Sequence, residues 1–163
     1  IYNYPDRTGY TISPSVVLEL ARRYPNIVGI KDTIPDMAHT VELIQTVKGN
    51  IPSFEVLSGF DHNFASNVLA GVVGCIAAVS NVRPDLCVAW RDAMKARDFD
   101  GTMKYQQLFN RIVGVYGFSS PFMAAMKGLL VDAGIFASAT VASPYQEATS
   151  AQMFAVREFM RGF

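Results

Sequence analysis

The sequence predicts an α/β fold in which short parallel strands alternate with helices. Four short apolar runs are each followed by a polar or glycine-containing turn and then by a stretch with apolar residues on one helical face. The run at residues 27–30 is apolar almost throughout, as strands covered on both faces of a parallel sheet tend to be. Connections of this length force parallel pairing with right-handed crossovers, which leaves a doubly wound sheet or a (β/α) barrel.

The elements of the first half follow one another in a regular order. Residues 1–2 end the first strand, and Ser13 and Pro14 provide the N-cap and first turn of a helix. Residues 27–30 form the second strand, and Pro35 begins the next helix. The remaining elements of this half are a strand at 54–57, a helix near 62–70 and a strand at 74–78.

After the fourth strand the alternation stops, and only helices are predicted. Thr149 begins the last of them, because its spacing from Gln152 is that of a capping box. The helices before it are expected at about 84–97, 99–116 and 121–133.

Composition excludes several classes of function. Fourteen Lys and Arg balance fourteen Asp and Glu, so the chain lacks the positive charge with which proteins bind nucleic acids or anionic membranes. The uncharged stretch at 62–82 is interrupted by polar residues and is too short in its apolar part to span a bilayer. Cys75 and Cys87 form no CxxC pair, and His39 and His62 have no second ligand at metal spacing. We therefore expect a cytoplasmic protein with no metal site and with both histidines at the surface or in loops.

Polar residues collect where the predicted strands end, which favours a barrel, since barrel chemistry lies at that face. No GxGxxG or P-loop motif follows any strand. Lys31 directly follows an apolar strand, where burial disfavours the charged ammonium, and a neutral amine can attack a carbonyl to form a Schiff base. The alternative for Lys31 is a solvated strand terminator or an ion pair with Asp32.

Two residues near the end of the first strand could complete such a site. Tyr2 would lie on the strand adjacent to that of Lys31, where its phenol could transfer protons; alternatively it is an aromatic packing residue. Arg7, in the following loop, could bind a carboxylate through two hydrogen bonds. The alternative for Arg7 is a surface residue paired with Asp6.

These residues belong to motifs that resemble a known family. The segment YNYPDRTG at residues 2–9, followed by GIKD at residues 29–32, resembles the YNxPxRTG and GIKD/E motifs of the dihydrodipicolinate synthase/N-acetylneuraminate lyase family. SGFD at residues 58–61 matches the SGxD turn of that family, and residues 74–81 resemble its eighth strand. The helical tail also resembles the family's C-terminal extension, so the resemblance covers the whole chain but only the second half of the family's fold.

The resemblance implies a role for individual residues. Lys31 corresponds to the Schiff-base lysine that captures pyruvate, and Tyr2 to the catalytic tyrosine. Arg7 corresponds to the arginine that recognises the carboxylate of the second substrate in the synthase branch. Gly59 belongs to the turn beside the site, and Ile76 to the strand position whose backbone lies against bound pyruvate. Members of the family need neither metal nor organic cofactor and are commonly tetramers.

The resemblance leaves the second substrate open. Phe60 occupies a position where synthases often carry an acid, whereas Arg7 argues against the neuraminate-lyase branch. The loop that holds the pyruvate carboxylate, and the tyrosine lent by a neighbouring subunit, belong to the first half of the family's fold.

The expected fold is therefore the C-terminal half of a (β/α)8 TIM barrel, strands 5–8, followed by a helical extension. Residues 1–82 would form the half barrel, and residues 83–163 the last barrel helix and the extension, as one continuous domain. The expected function is that of a Schiff-base-forming, pyruvate-dependent lyase, aldolase or synthase acting on a 2-keto acid and an aldehyde. It would work as a homo-oligomer and be inactive without the N-terminal half. The alternative is a non-catalytic keto-acid-binding or assembly half-barrel module.

Overall fold

The computed structural model describes residues 1–163 and contains four strands and eight α-helices. The strands are β1 (Tyr2–Asn3), β2 (Gly29–Asp32), β3 (Glu55–Ser58) and β4 (Gly74–Cys75). The helices are α1 (Pro5–Thr8), α2 (Pro14–Arg23), α3 (Met37–Leu43), α4 (Phe64–Ala70), α5 (Pro84–Lys95), α6 (Phe99–Ile112), α7 (Met123–Asp132) and α8 (Ser150–Met160). The chain divides into two compact units, Ile1–Ala77 with the sheet and α1 to α4, and Ala78–Phe163 with α5 to α8.

The four strands form one parallel sheet in the order β1-β2-β3-β4. Strands that follow one another along the chain are thus neighbours in the sheet, and each is joined to the next by a connection that contains a helix. A doubly wound sheet reverses its strand order at a switch point, and this sheet contains no reversal. The predicted α/β fold with a parallel sheet is confirmed.

The two faces of the sheet differ in burial because alternate residues of a strand point to opposite sides. On one side Ile30 and Val56 have no exposed surface, and they belong to a hydrophobic core with Val17 of α2 and Leu43 of α3. On the other side Lys31 is only half-buried. The helices of this unit therefore cover one face of the sheet, and the second face is partly open.

Several elements differ from those predicted, and α1 was not predicted at all. The one-turn helix α1 ends at Gly9, which adopts a left-handed conformation with φ of 78°. The helix expected from Pro35 begins two residues later, at Met37, after the N-cap Asp36, whose side chain accepts a hydrogen bond from the Ala38 amide. It then continues as a π-helix over Ile44–Lys48. The strand expected at 74–78 pairs only over β4.

The second unit, Ala78–Phe163, is helical and packs through aromatic and charged contacts. Trp90 of α5 stacks on Phe109 of α6 with ring centroids 4.3 Å apart. Arg157 of α8 donates two hydrogen bonds, of 2.7 and 2.8 Å, to the carboxylate of Asp132 at the end of α7. These bonds hold the pKa of the Asp132 carboxyl below its usual range. None of the eight helices combines the length and the apolar content that a membrane crossing requires.

The predicted capping box at the start of α8 is present. The Thr149 hydroxyl accepts a hydrogen bond of 3.2 Å from the Gln152 amide, and the Gln152 side chain accepts one of 2.8 Å from the Thr149 amide.

We predict that Thr149→Ala raises the amide hydrogen-exchange rates of α8 about fivefold, because loss of such a cap costs about 1 kcal/mol. Thr149→Ser keeps the hydroxyl, so exchange rates in this variant should match those of the unmodified chain. Equal rates in the alanine variant would contradict the prediction.

Candidate active site

Lys31 and Tyr2 come into contact on the open face of the sheet. The two residues are paired in the register of β1 and β2, so their side chains leave the sheet side by side. The Lys31 Nζ donates a hydrogen bond of 3.1 Å to the Tyr2 hydroxyl and lies 4.2 Å from the centre of the Tyr2 ring. Tyr2 is half exposed, with 51% of its surface accessible. An amine and a phenol within hydrogen-bond distance can exchange a proton directly.

Asp32 lies on the opposite face of the sheet from Lys31, so an ion pair between these neighbours in sequence is not formed. The Asp32 carboxylate is buried and accepts hydrogen bonds of 2.8 Å from Asn3 Nδ2 and from the Thr40 hydroxyl. His39 Nδ1 lies 3.1 Å from the same carboxylate. The expectation that His39 is a surface residue is wrong, since its side chain is only 10% exposed. We call Asn3, Asp32, His39 and Thr40 the Asp32 cluster.

Arg7 lies beside Tyr4, a residue that sequence reasoning did not single out. The Arg7 guanidinium lies over the Tyr4 ring at 5.8 Å from its centre. The Tyr4 ring stacks on the Tyr2 ring with centroids 5.8 Å apart. Tyr4 thus connects the exposed guanidinium to the Tyr2 and Lys31 pair. The signal for it was its separation of two residues from Tyr2, which puts both rings on the same side of an extended chain.

Gly59 and Ile76 lie at the carboxyl ends of the next two strands. The Gly59 amide donates a hydrogen bond of 2.8 Å to the Asp32 carbonyl, and the Ile76 amide donates one of 2.8 Å to the Ser58 carbonyl. Ile76 is 49% exposed. The sheet therefore brings Lys31 and Tyr2 into direct contact and holds Gly59 and Ile76 at the same edge, on neighbouring strands.

Aromatic side chains follow the Gly59 turn. The Phe60 ring packs edge-on against the His62 ring with centroids 5.1 Å apart.

His, Cys, Asp and Glu side chains nowhere gather in a group of three that could hold a metal ion.

The fold and these contacts define the class of the protein. It is a parallel α/β protein that holds an amine and a phenol 3.1 Å apart at the carboxyl ends of neighbouring strands, which is the edge where such sheets bind ligands. A family model described as the dihydrodipicolinate synthetase family matches residues 1–161. The chain belongs to this family, which confirms the resemblance seen in its motifs.

Curated relatives agree with this assignment. The chain is 38% identical over 160 residues to the Escherichia coli K12 protein YagE, which carries the provisional name 2-dehydro-3-deoxy-D-gluconate aldolase, and the match covers 94% of this chain and 52% of YagE. It is 33% identical over 154 residues to the 4-hydroxy-tetrahydrodipicolinate synthase of Acidiphilium cryptum, a match that covers 94% of this chain and 51% of the synthase. The chain thus spans about half the length of the curated relatives it matches.

Solved structures have the same fold. The crystal structure of YagE in complex with pyruvate superimposes with a TM-score of 0.91 at 32% identity and covers 99% of this chain and 54% of YagE. Dihydrodipicolinate synthase from Aquifex aeolicus gives a TM-score of 0.86 at 25% identity, with 99% of this chain and 54% of the synthase covered.

Glycine is required at position 59 by the close approach of β2 and β3. A Cβ atom there would lie 2.7 Å from the Thr33 Cβ and 2.9 Å from the Thr33 Cα, far inside the 3.5 Å at which carbon atoms make favourable contact. We predict that Gly59→Ala lowers the free energy of unfolding by about 1 to 3 kcal/mol, because the ends of the two strands must separate. Urea denaturation followed by circular dichroism measures this loss.

Gly117→Ala is the matched control for that substitution. An added Cβ at position 117 meets no atom within 4 Å. Its unfolding midpoint should stay close to that of the unmodified chain. An equal loss of stability in the two variants would show that the contact with Thr33 is not the cause.

Proposed function

We propose that this chain is the second half of a (β/α)8 barrel whose first half closes over the open face of the sheet. Three observations support the proposal. The strands run in sequential order without reversal, the chain spans about half of its relatives, and side chains such as Tyr2 and Ile76 are half exposed at an edge where barrel enzymes bind substrate. In the closed barrel the second face of the sheet would become the barrel interior.

We further propose that the complete protein is a pyruvate-dependent lyase, aldolase or synthase in which Lys31 forms a Schiff base. The observation that carries this proposal is the hydrogen bond of 3.1 Å between Lys31 Nζ and the Tyr2 hydroxyl. Family membership supports it, since the chain's relatives include a protein named as a synthase, and the structure of YagE was determined with pyruvate. No cofactor is needed, because the lysine imine itself withdraws electrons from the reacting carbon.

The reaction would proceed through proton transfers between Lys31 and Tyr2. The neutral Lys31 amine attacks the C2 carbonyl of the keto acid, and its nitrogen passes one proton to the former carbonyl oxygen through the Tyr2 hydroxyl. Tyr2 then donates a second proton, and the oxygen leaves as water with an iminium ion remaining. The Tyr2 phenolate then takes a proton from C3, which gives an enamine. The enamine carbon attacks an aldehyde in the synthetic direction, and the reverse sequence cleaves the same carbon–carbon bond. Hydrolysis of the imine finally restores Lys31.

The remaining predicted site residues would bind substrate. Arg7 is the candidate for the carboxylate of the second substrate, because a guanidinium offers two parallel hydrogen bonds to a carboxylate. Its exposed position beside Tyr4 leaves it accessible to such a group. Gly59 and Ile76 would shape the floor of the keto-acid site from the ends of β3 and β4. The family's usual assembly makes a homo-oligomer the expected state of the complete protein.

Reductive trapping tests the proposed chemistry. Pyruvate with sodium borohydride should add the mass of a reduced pyruvyl group to the complete protein at Lys31, found by peptide mass spectrometry, and Lys31→Ala should abolish the label. Tyr2→Phe keeps the ring but removes the hydroxyl, so we expect it to slow the reaction by roughly 10²- to 10⁴-fold, the usual contribution of a general acid–base group. Labelling of another lysine, with none at position 31, would refute the mechanism.

A complementation experiment separates the enzyme from a non-catalytic half-barrel module. We predict that residues 1–163 alone turn over no keto acid and associate in solution, because an open sheet face and unpaired strand edges promote association. Addition of a first half barrel from a relative should restore aldol activity. Measurements by sedimentation and by a coupled aldehyde assay check both results.

Binding of a keto acid without turnover in the complemented barrel would instead support the module. A stable, well-dispersed monomer of residues 1–163 would contradict the proposed incomplete barrel.

A further inference from the structure

The Asp32 cluster lies directly behind the Lys31 and Tyr2 pair. In the register of β1 and β2, Tyr2 is opposite Lys31 and Asn3 is opposite Asp32. Because strand residues alternate between faces, the first pair leaves the open face of the sheet and the second leaves the helix-covered face. Asn3 and Asp32 have at most 1% of their surface exposed. Each strand therefore carries its reactive residue and its cluster residue at consecutive positions.

The cluster joins four segments of the chain through side-chain hydrogen bonds. Asn3 Nδ2 of β1 and the Thr40 hydroxyl of α3 each donate to the Asp32 carboxylate of β2 at 2.8 Å. The amide oxygen of Asn3 accepts a hydrogen bond of 3.0 Å from the Ile12 amide, in the loop that leads to α2. His39 lies between the Asp32 carboxylate and the Ile12 carbonyl, with one ring nitrogen 3.1 Å from each.

This geometry fixes the orientation of the Asn3 amide. A flipped amide would set its oxygen against the Asp32 carboxylate and its nitrogen against the Ile12 amide, and both contacts would be repulsive. Only one arrangement of Asn3 thus satisfies both neighbours. A slip of β1 against β2 would take the Asn3 donor away from one oxygen of the buried Asp32 carboxylate, and an unpaired charged oxygen is costly in a protein interior.

We propose that the Asp32 cluster is a positioning device that sets the distance between Lys31 Nζ and the Tyr2 hydroxyl and thereby the rate of imine chemistry. The inference rests on the proposed function of Lys31. None of the four cluster side chains touches the open face, so each acts through the backbone of β1 or β2. Thr40, which lies on α3 and whose hydroxyl donates to Asp32 of β2, is the clearest case.

Substitutions within the complete barrel test the proposal. Asn3→Leu removes both Asn3 hydrogen bonds, and Thr40→Val removes one while keeping the side-chain shape. We expect the rate of borohydride trapping at Lys31 at saturating pyruvate to fall about 10- to 100-fold in Asn3→Leu, because small displacements of reacting groups have effects of this size. The fall should be smaller in Thr40→Val, and Thr40→Ser should restore the rate. Pyruvate affinity should change little.

Leu43→Ala is the control for loss of stability alone. Leu43 lies one turn along α3 from Thr40, is fully buried and belongs to the hydrophobic core rather than to the cluster. The variant should lose stability while keeping the unmodified trapping rate. If it slows trapping as much as Asn3→Leu does, the cluster has only a structural role and the proposal is overturned.

A second readout does not depend on the proposed reaction. The 13Cζ resonance of Tyr2, assigned with Tyr2→Phe, reports the hydrogen bond that its hydroxyl accepts from Lys31. Its chemical shift should change in Asn3→Leu and remain unchanged in Leu43→Ala. An unchanged resonance overturns the inference. If the chemical shift changes in Asn3→Leu but pyruvate labels Lys31 in no form of the protein, positioning is supported and the proposed function is refuted. If the chemical shift changes in Asn3→Leu while labelling keeps its normal rate, the link between the cluster and the rate is overturned.

Discussion

The pairing register of β1 and β2 is the constraint on which the site depends. It sets Tyr2 against Lys31 and Asn3 against Asp32, and the alternation of strand side chains then separates the two pairs onto opposite faces. A shift of β1 by one residue would exchange its two faces, burying the Tyr2 phenol under the helices and turning Asn3 to the open face. Both faces therefore depend on the same two strands, although β1 contains only two residues.

Because β1 is short, its backbone hydrogen bonds to β2 are too few to fix the register by themselves. Its backbone contributes few hydrogen bonds to β2, among them those from the Lys31 amide to the Ile1 carbonyl and from the Thr33 amide to the Asn3 carbonyl, at 2.9 and 2.8 Å. A backbone hydrogen bond adds only about 0.5 to 1.5 kcal/mol to stability. The side-chain bond between Asn3 and Asp32, which is shielded from water, adds a contact that depends on the residues themselves and so discriminates between registers.

The sequence was sufficient to predict the parallel α/β fold, most strands and helices, and the position of Tyr2 on the strand next to that of Lys31. These predictions rest on local periodicity and on motifs, which act over a few residues. The role of His39 could not be predicted in the same way, because its partners, Asp32 and the Ile12 carbonyl, are 7 and 27 residues away in the chain. A lone histidine on a short helix carries no signal of such contacts. The same limit applies to Asp32, for which the sequence suggested only an ion pair with Lys31, as the alternative to a reactive lysine.

With the Schiff-base role proposed for Lys31, there is a physical advantage in keeping the neighbouring Asp32 carboxylate on the other face of the sheet. An Asp32 that paired with Lys31 would hold the amine in its charged form, which cannot attack a carbonyl. On the other face, the oxygen atoms of the buried carboxylate need hydrogen-bond donors, because a buried charge without such partners strongly destabilises the fold. The donors that it recruits come from β1 and α3. Because Asp32 faces away from Lys31, its carboxylate takes hydrogen bonds on the helix-covered face instead. One of these bonds, from Asn3, ties the strand of Lys31 to the strand of Tyr2.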